Sequence, residues 1–299
     1  MSGSPNCLLF TFDENYVWPG LVAIHSGLGQ SPSGVDVVVA SIGLSAESHS
    51  RVQQICATHD RHVDIVEAGR LVEGLPEGLP RFSSAAWSRV FLDRLIPEHV
   101  ERLVYLDGDT YSRRSLSPLF EMDLAGTVLA AVPDPWEPHH QARGPEFWRA
   151  AGSSPSSAYF NSGVMVVDMT AWRRERITQR VVDVVATGAV PTRSVDQDAL
   201  NAVLWNQWIP LDREWNLPGS SRWHEAARAR VVHFVGDSKP WHVRSQIGAF
   251  QREYQVIAKE VGWDFQARLN SPLKSLIRSI VPVWMLERIR WWRARRSES

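Results

Sequence analysis

Cysteine is scarce in this chain of 299 residues, which carries only Cys7 and Cys56. Two cysteines cannot form a disulfide framework, and their scarcity fits a reducing compartment. The chain also lacks an excess of either charge, because 32 basic residues oppose 33 acidic ones, which argues against a general nucleic-acid binder. No apolar run is long enough to span a bilayer, and the first residues lack the basic and apolar pattern of a signal peptide. We therefore expect a cytoplasmic enzyme or binding protein.

The overall amino-acid composition is typical of a globular protein, with 44% apolar and 22% charged residues. Apolar runs alternate with helix-like stretches, which predicts an α/β fold around a mostly parallel sheet. Strands are predicted at residues 7–13, 35–44, 62–68, 101–107, 128–134 and 159–169. Helices are predicted at residues 46–59 (after Ser45 as N-cap), 84–95 and 172–187. Residues 134–157, rich in Pro, Gly, His and Ser, are expected to form a long functional loop.

Three of the predicted strands end in an acidic residue, at Asp13, Asp107 and Asp134. Ligands of open α/β sheets bind at the carboxyl ends of the strands, so these acids predict one polar cleft.

The sharpest motif in the chain is Asp107-Gly108-Asp109. Side chains two apart in a strand share a face, and two carboxylates held together repel unless a cation lies between them. The motif therefore suggests a site for Mg²⁺ or Mn²⁺, with a solvated acidic turn as the alternative. The order acid-glycine-acid argues against a phosphatase of the haloacid-dehalogenase type, in which the glycine follows both acids.

A second candidate cluster surrounds His233, which lies in an apolar, strand-like run. A lone histidine there is more often a satisfied core residue. Gly236 and Lys239 follow closely, however. A glycine turn exposes backbone N–H groups and a lysine ammonium suits phosphate, so the three together predict a clamp for a metal and a diphosphate.

A third candidate cluster lies at the start of a predicted helix. Ser194 and Gln197 there have the spacing of a capping box. The capping box does not explain the flanking acids Asp196 and Asp198, although acids in a first turn also favour the helix dipole.

Together these motifs resemble glycosyltransferase family 8, retaining nucleotide-sugar enzymes of the GT-A fold, and especially its bacterial lipopolysaccharide and capsule hexosyltransferases. The similarity covers roughly residues 7–245. The matching stretches, in chain order, are residues 12–16, 88–90, 102–109, 131–134, 159–172, 196–201 and 233–241.

The resemblance implies a GT-A fold, in which helices flank a mixed, mostly parallel sheet. It implies Mn²⁺, with Mg²⁺ as the alternative, bound by Asp107, Asp109 and His233. It places the nucleotide, usually UDP, and its diphosphate at Asp13, Asn15, Tyr16, Arg89, Gly236 and Lys239. It places the transferred hexose near Asp134, Asn161, Asp196 and Gln197.

The implied activity is transfer of glucose or galactose from a UDP-hexose to a hydroxyl of a glycan or lipid-linked acceptor. Retaining hydrolases hold a carboxylate nucleophile beneath the anomeric carbon, but the matching residue here is Gln197, whose amide is a poor nucleophile. Same-face attack is therefore favoured, and a covalent step on Asp134 or Asp196 is the alternative.

The alternative function is an inactive nucleotide-sugar or glycan-binding protein on the same fold. A sugar nucleotidyltransferase is disfavoured because residues 10–20 lack a basic glycine-rich loop.

The last segment, residues 271–299, has seven Lys and Arg against two Glu, a net charge of +5. Apolar residues recur there at helical spacing, at Leu273, Leu276, Ile277, Ile280 and Trp284. Such a basic amphipathic tail predicts that residues 272–299 bind an anionic membrane surface, with packing on the body as the alternative. We thus predict a catalytic domain over residues 1–270, a tail over 271–299, and a cytoplasmic protein peripheral to the inner face of the membrane.

Overall fold

A computed structural model describes residues 3–69, 71, 87–188, 190–191, 195–221, 223–236, 239–242 and 250–265. Its strands are β1 (Asn6–Asp13), β2 (Asp36–Ile42), β3 (Asp64–Glu67), β4 (Arg102–Asp107), β5 (Thr110–Ser112), β6 (Leu129–Pro133), β7 (Phe160–Asp168), β8 (Trp208–Pro210), β9 (Leu217–Pro218) and β10 (Val231–His233). Seven of them form one sheet in the order β3-β2-β1-β4-β7-β6-β8. Among the strands described there, β7 alone is antiparallel to both neighbours. The mixed, mostly parallel sheet predicted from the sequence is confirmed.

Strand β1 shows why this sheet is buried on both faces. Its side chains alternate between two hydrophobic clusters: Leu8 and Phe10 lie in one, and Cys7 and Leu9 lie in the other with Trp172. Since both faces need apolar side chains, the strand is a nearly continuous apolar run, which is the pattern that the sequence shows.

Helices cover these two faces. The α-helices described are Val17–Gln30, Ala46–Ala57, Leu92–Leu95, Ser117–Glu121, Pro145–Ala150, Met169–Arg174, Ile177–Thr187, Val195–Leu204, Trp223–Ala226 and Gln251–Glu260. The helix Ala46–Ala57 begins where it was predicted, because the Ser45 hydroxyl accepts a hydrogen bond from the Ser48 N–H at 3.2 Å. Short 3₁₀ helices lie at Glu14–Tyr16, His140–Arg143 and Arg213–Asn216.

The prediction of a continuous helix over residues 84–95 is wrong in its described part. Trp87 and Ser88 are α-helical and so are Leu92–Leu95, but residues 89–91 between them are not, and residues 84–86 lie outside the described residues. The chain turns before Leu92 because the Val90 carbonyl accepts a hydrogen bond from the Thr178 hydroxyl at 2.8 Å.

The single helix predicted over residues 172–187 is likewise two helices, Met169–Arg174 and Ile177–Thr187. Between them Arg176 adopts a left-handed conformation with φ of 53°, which ends the first helix. The change in direction lets both Trp172 and Ile177 be fully buried.

A small second sheet, in the order β5-β10-β9, lies beyond the end of β4. Strand β5 follows β4 after only two residues, and β10 pairs with β5 so that His233 is opposite Thr110. The Phe234 N–H also donates to the Asp109 carbonyl at 3.0 Å. This pairing brings residues more than 120 positions apart to the carboxyl end of β4.

Within the described residues, no helix is both long and apolar enough to cross a membrane. The predicted membrane-binding tail lies outside the described residues, and the domain boundary at residue 270 stays a prediction.

Candidate functional site

The three acidic strand ends lie along one edge of the main sheet. Strands β1, β4 and β6 run in the same direction, so Asp13, Asp107 and Asp134 occupy the same carboxyl edge. This topology gives the acids the shared edge on which the predicted polar cleft depends, and the cleft itself stays a prediction.

Asp107, Asp109 and His233 form a compact group at this edge. Each offers one ligand atom, and these atoms all lie within 4.8 Å of one another. His233 Nε2 is 3.1 Å from Asp109 Oδ1 and 3.6 Å from Asp107 Oδ2. Gly108 allows the strand end to approach β1, because a Cβ there would lie 3.1 Å from the Thr11 carbonyl oxygen.

Asn216 fixes the orientation of the His233 ring. Asn216 Nδ2 donates to Asn161 Oδ1 at 2.8 Å. Asn216 Oδ1 therefore faces His233 Nδ1 at 2.9 Å and accepts a hydrogen bond from it. The ring nitrogen of His233 that faces the two aspartates is therefore Nε2. Gly163 leaves space for this ring, since a Cβ on it would overlap the imidazole.

Each aspartate also has a buried cation as partner. Lys239 Nζ lies 2.5 Å from Asp109 Oδ2, and Arg89 Nη2 lies 2.6 Å from Asp107 Oδ1. Burial alone would raise the pKa of Asp109, but Lys239 and His233 hold that pKa well below its usual range. The Tyr105 hydroxyl donates a further hydrogen bond to Asp107 Oδ1 at 2.5 Å. Asp107 Oδ2 and Asp109 Oδ1 are thus the oxygens that face His233.

Arg89 links this group to the helix Val195–Leu204. Its Nε lies 3.2 Å from Asp196 Oδ2, and its Nη1 donates to the Ser162 hydroxyl at 2.8 Å. Burial raises the pKa of Asp196, although the charge of Arg89 opposes that rise.

Gln197, one residue further, uses both ends of its side-chain amide. Its Oε1 accepts hydrogen bonds from the backbone N–H of Ser162 at 3.0 Å and from the Ser162 hydroxyl at 3.3 Å. Its Nε2 donates to Asp134 Oδ2 and to the Tyr159 hydroxyl, both at 3.3 Å. Ser194, the predicted capping partner of Gln197, lies outside the described residues.

These contacts close into a ring of side chains at the carboxyl edge of the sheet. Asp134 Oδ2 accepts from Asn161 Nδ2 at 3.4 Å, which joins the Gln197 end to the Asn216 end. The members of the ring, in order, are Asp107, Arg89, Ser162, Gln197, Asp134, Asn161, Asn216 and His233.

The residues predicted to hold the nucleotide lie beside this ring. The Tyr16 ring is 5.9 Å from Lys239 Nζ and packs edge-on against Trp241 with 6.0 Å between ring centroids. Asp13 Oδ1 accepts from the Tyr16 N–H at 3.2 Å, and Asn15 is exposed on the same short helix. Gly236 has φ of 78°, the turn conformation expected of it. No hydrogen bond or ion pair between described residues joins Asn15 or Gly236 to the ring.

Four residues of the site were not predicted from the sequence: Tyr105, Asn216, Tyr159, which contacts Gln197, and Arg143, which contacts Tyr159. Tyr105 could have been found, because it lies two residues before Asp107 in β4 and so shares its face. Asn216 lies in a short 3₁₀ helix outside every recognised motif, so no local pattern indicates its contact with His233.

Comparison with known proteins agrees with this geometry. The family model described as glycosyl transferase family 8 matches residues 7–245. The chain belongs to glycosyl transferase family 8. This confirms the resemblance predicted from the sequence, and with it a glycosyltransferase of the GT-A fold.

This family member has similar relatives among curated and solved proteins. It is 27% identical to general stress protein A of Bacillus subtilis over 226 residues, which cover 70% of this chain and 77% of the relative. It is 27% identical to the lipopolysaccharide 1,2-glucosyltransferase of Escherichia coli K12 over 173 residues, which cover 54% of this chain and only half of that relative. A crystal structure of galactosyltransferase LgtC with donor and acceptor sugar analogues matches with a TM-score of 0.70 at 22% identity, covering 85% of this chain and 95% of LgtC. That last similarity shows the shared fold.

Proposed function

We propose that this protein is a metal-dependent, retaining hexosyltransferase that moves glucose or galactose from a UDP-sugar to a hydroxyl of a glycan or lipid-linked glycan. The observation that carries the proposal is the group Asp107, Asp109 and His233 at the strand edge where α/β proteins bind ligands. Two further facts support it: a relative is named a lipopolysaccharide 1,2-glucosyltransferase, and the LgtC structure contains donor and acceptor sugar analogues.

The donor set suits a divalent cation. Two carboxylate oxygens and one imidazole nitrogen are compatible with Mn²⁺, and Mg²⁺ is the alternative. Asp107, Asp109 and His233 would hold it, since Asp107 Oδ2, Asp109 Oδ1 and His233 Nε2 face one another. When bound, the cation supplies positive charge next to the leaving diphosphate.

Two cationic side chains support departure of the diphosphate. Lys239 lies between Asp109 and the Tyr16 ring, so its ammonium can reach a phosphate oxygen of a nucleotide stacked beside Tyr16. Arg89 holds Asp107 and Asp196 in place by ion pairs at 2.6 and 3.2 Å. A fixed positive charge beside a forming anion lowers the barrier because no reorganisation is needed as the bond breaks.

The hexose would lie against Gln197 and the carboxylate of Asp134. The bond from the anomeric carbon to the diphosphate oxygen breaks, the acceptor oxygen attacks from the same face, and its proton passes to the leaving diphosphate. The carboxylates nearby are already engaged. Asp134 Oδ1 accepts from the N–H groups of Trp136 and Glu137, its Oδ2 accepts from two side-chain amides, and Asp196 is paired with Arg89. These bonds lower the nucleophilicity of both carboxylates and favour same-face transfer over a covalent step.

The proposal extends to the parts of the chain outside the described residues. A catalytic domain over residues 1–270 would be held at the cytoplasmic face of a membrane by residues 272–299. Deletion of 272–299 should abolish sedimentation with vesicles of anionic lipid while UDP binding is kept. Sedimentation of the truncated protein with those vesicles would contradict the membrane role of the tail.

The test of the function is isothermal titration of UDP, with GDP as control, with and without Mn²⁺. UDP should bind only with the metal, and Asp109→Ala should abolish binding. Asp183→Ala is a matched control, because Asp183 lies on a surface helix where it accepts a hydrogen bond from Gln179. Thermal unfolding of each variant verifies folding, since Asp109→Ala leaves Lys239 without its carboxylate. If wild-type protein binds no UDP under any metal condition, the proposed function is wrong.

A further inference from the structure

Arg143 connects the segments that carry the two residues proposed to face the hexose. Its guanidinium Nη1 lies 3.0 Å from Glu137 Oε2 and its Nε lies 3.0 Å from Asp198 Oδ1. Glu137 belongs to the turn whose N–H groups bind Asp134, and Asp198 follows Gln197 in its helix. The Arg143 side chain is only 8% exposed, so both ion pairs are shielded from water.

The Tyr159 hydroxyl completes the connection to Gln197. It donates to Asp198 Oδ1 at 2.5 Å and accepts from Arg143 Nη2 at 3.0 Å and from Gln197 Nε2 at 3.3 Å. A hydroxyl has one proton to donate and two lone pairs, so its hydrogen-bonding capacity is filled. Tyr159 is fully buried, and burial raises its pKa well above the usual range, which keeps that proton in place.

We propose that Arg143 and Tyr159 are positioning residues that hold the Gln197 amide and the Asp134 carboxylate in the geometry needed for glycosyl transfer. The inference rests on the proposed function. Because Tyr159 accepts from Gln197 while Ser162 donates to it, the amide has one favoured orientation, with Nε2 toward Asp134. Without the Tyr159 oxygen, the amide keeps its bonds to Ser162 and Asp134 but loses one of the two acceptors of its Nε2 group, so its orientation is held less firmly.

The reason for a charged network here is the burial of Asp198. Its side chain is inaccessible to solvent, and a buried carboxylate needs a cation and hydrogen bonds to stay ionised. Arg143 supplies the charge and Tyr159 the hydrogen bond. The planar guanidinium reaches Asp198, Glu137 and Tyr159 at once, which the single ammonium of a lysine cannot do.

The test compares Tyr159→Phe and Arg143→Lys with wild type by measuring UDP release from UDP-glucose and UDP-galactose with Mn²⁺. We expect kcat to fall roughly 10- to 100-fold, because small displacements of reacting groups have effects of this size. The KM for the donor and the Kd for UDP should stay within about 2-fold, since neither residue contacts the proposed nucleotide site. A purely structural role would instead change binding and turnover together, or neither.

Two controls match these variants. Tyr111→Phe removes another buried hydroxyl, which donates to Glu253 at 3.0 Å. Arg180→Met removes another arginine bonded to the chain near the end of the helix Val195–Leu204, through Gln207 and the Val203 carbonyl. Both should lower thermal stability and leave kcat unchanged.

A measurement independent of turnover uses the nitrogen-15 spectrum of the Gln197 side-chain amide, assigned from its loss in Gln197→Met. Its protons should exchange slowly with water in wild type and Tyr111→Phe, and faster in Tyr159→Phe. Unchanged exchange, or a wild-type kcat in folded Tyr159→Phe, would overturn the positioning role while leaving the proposed function intact. Absence of UDP binding by wild-type protein would overturn the proposed function itself.

Discussion

Replacing Asn216 with leucine is expected to weaken metal binding at His233 without removing any of the three proposed ligands. Asn216 Oδ1 accepts a hydrogen bond from His233 Nδ1, which leaves Nε2, the nitrogen that faces Asp107 and Asp109, as the one that can bind a cation. Leucine has nearly the same size but no acceptor. In Asn216→Leu the His233 ring is free to place its proton on Nε2, where it opposes a cation.

The magnitude follows from the contacts that are lost. Loss of an outer partner of a metal-binding histidine costs about 10- to 100-fold in metal affinity, which corresponds to about 1.4–2.7 kcal/mol. The same change leaves His233 Nδ1 without its hydrogen bond to Asn216, whereas Asn161 Oδ1 loses one donor and still accepts from the Gly163 N–H at 3.0 Å. Each unsatisfied buried group costs about 1–3 kcal/mol of the free energy of unfolding. Both residues are at most 5% exposed, so water cannot easily replace these bonds.

The assay is isothermal titration of Mn²⁺ into protein saturated with UDP, together with urea unfolding of each variant. Asn201→Leu is the matched control. Asn201 is fully buried and bonds to the backbone of Phe160 and to the Gln197 carbonyl, so it should lose comparable stability and keep its Mn²⁺ affinity. If Asn216→Leu is folded and binds Mn²⁺ as tightly as wild type, His233 is not an oriented metal ligand and the reasoning fails.

Two further changes test neighbouring parts of the structure. Gly163→Ala should lower Mn²⁺ affinity at least about 10-fold, because a Cβ there overlaps the His233 ring and lies 2.9 Å from Asp107 Oδ2. Gly29→Ala is its control by the same titration, since the nearest atom is 3.7 Å away, and unchanged affinity in Gly163→Ala would refute the crowding argument. Burial and the nearby Arg143 lower the pKa of His140 from its usual 6.5 to about 4, so the unfolded chain takes up this proton first on acidification. The free energy of unfolding should therefore fall by about 3 kcal/mol between pH 6.5 and pH 4 on account of this group, and urea unfolding of His140→Leu should lack that part of the fall.

The parts of the fold that the sequence predicts are those with a strong local pattern. Strands β1, β2 and β4 are apolar runs buried on both faces, and they were predicted within about two residues. The helix Ala46–Ala57 has a serine N-cap and was predicted at its start. The errors occur where contacts between residues far apart in the sequence determine where a helix begins or ends. The helix predicted over residues 84–95 is interrupted because the Thr178 hydroxyl donates a hydrogen bond to the Val90 carbonyl, and no local pattern indicates that contact.

The residues of the candidate site also fall into two groups, those that a local motif indicates and those that only the fold brings to the site. Asp107, Asp109 and His233 could be singled out because acids at a strand end and a histidine before a glycine turn have a chemical meaning along the chain. Asn216, Arg143 and Tyr159 carry no such pattern. Their position becomes evident only when β10 and the helix Val195–Leu204 are brought to the same edge of the sheet.

The closed ring of side chains explains why these unpredicted residues matter to the predicted ones. Only about one in eight hydrogen bonds of a typical protein joins two side chains, yet most links of this ring do. Asn216 donates to Asn161, which donates to Asp134, and from the other side Gln197 accepts from Ser162 and donates to the same Asp134 oxygen, so the donors of both amides converge on one carboxylate. The proposed metal ligands and the proposed sugar-binding residues therefore share one hydrogen-bonded arrangement, set by the residues between them.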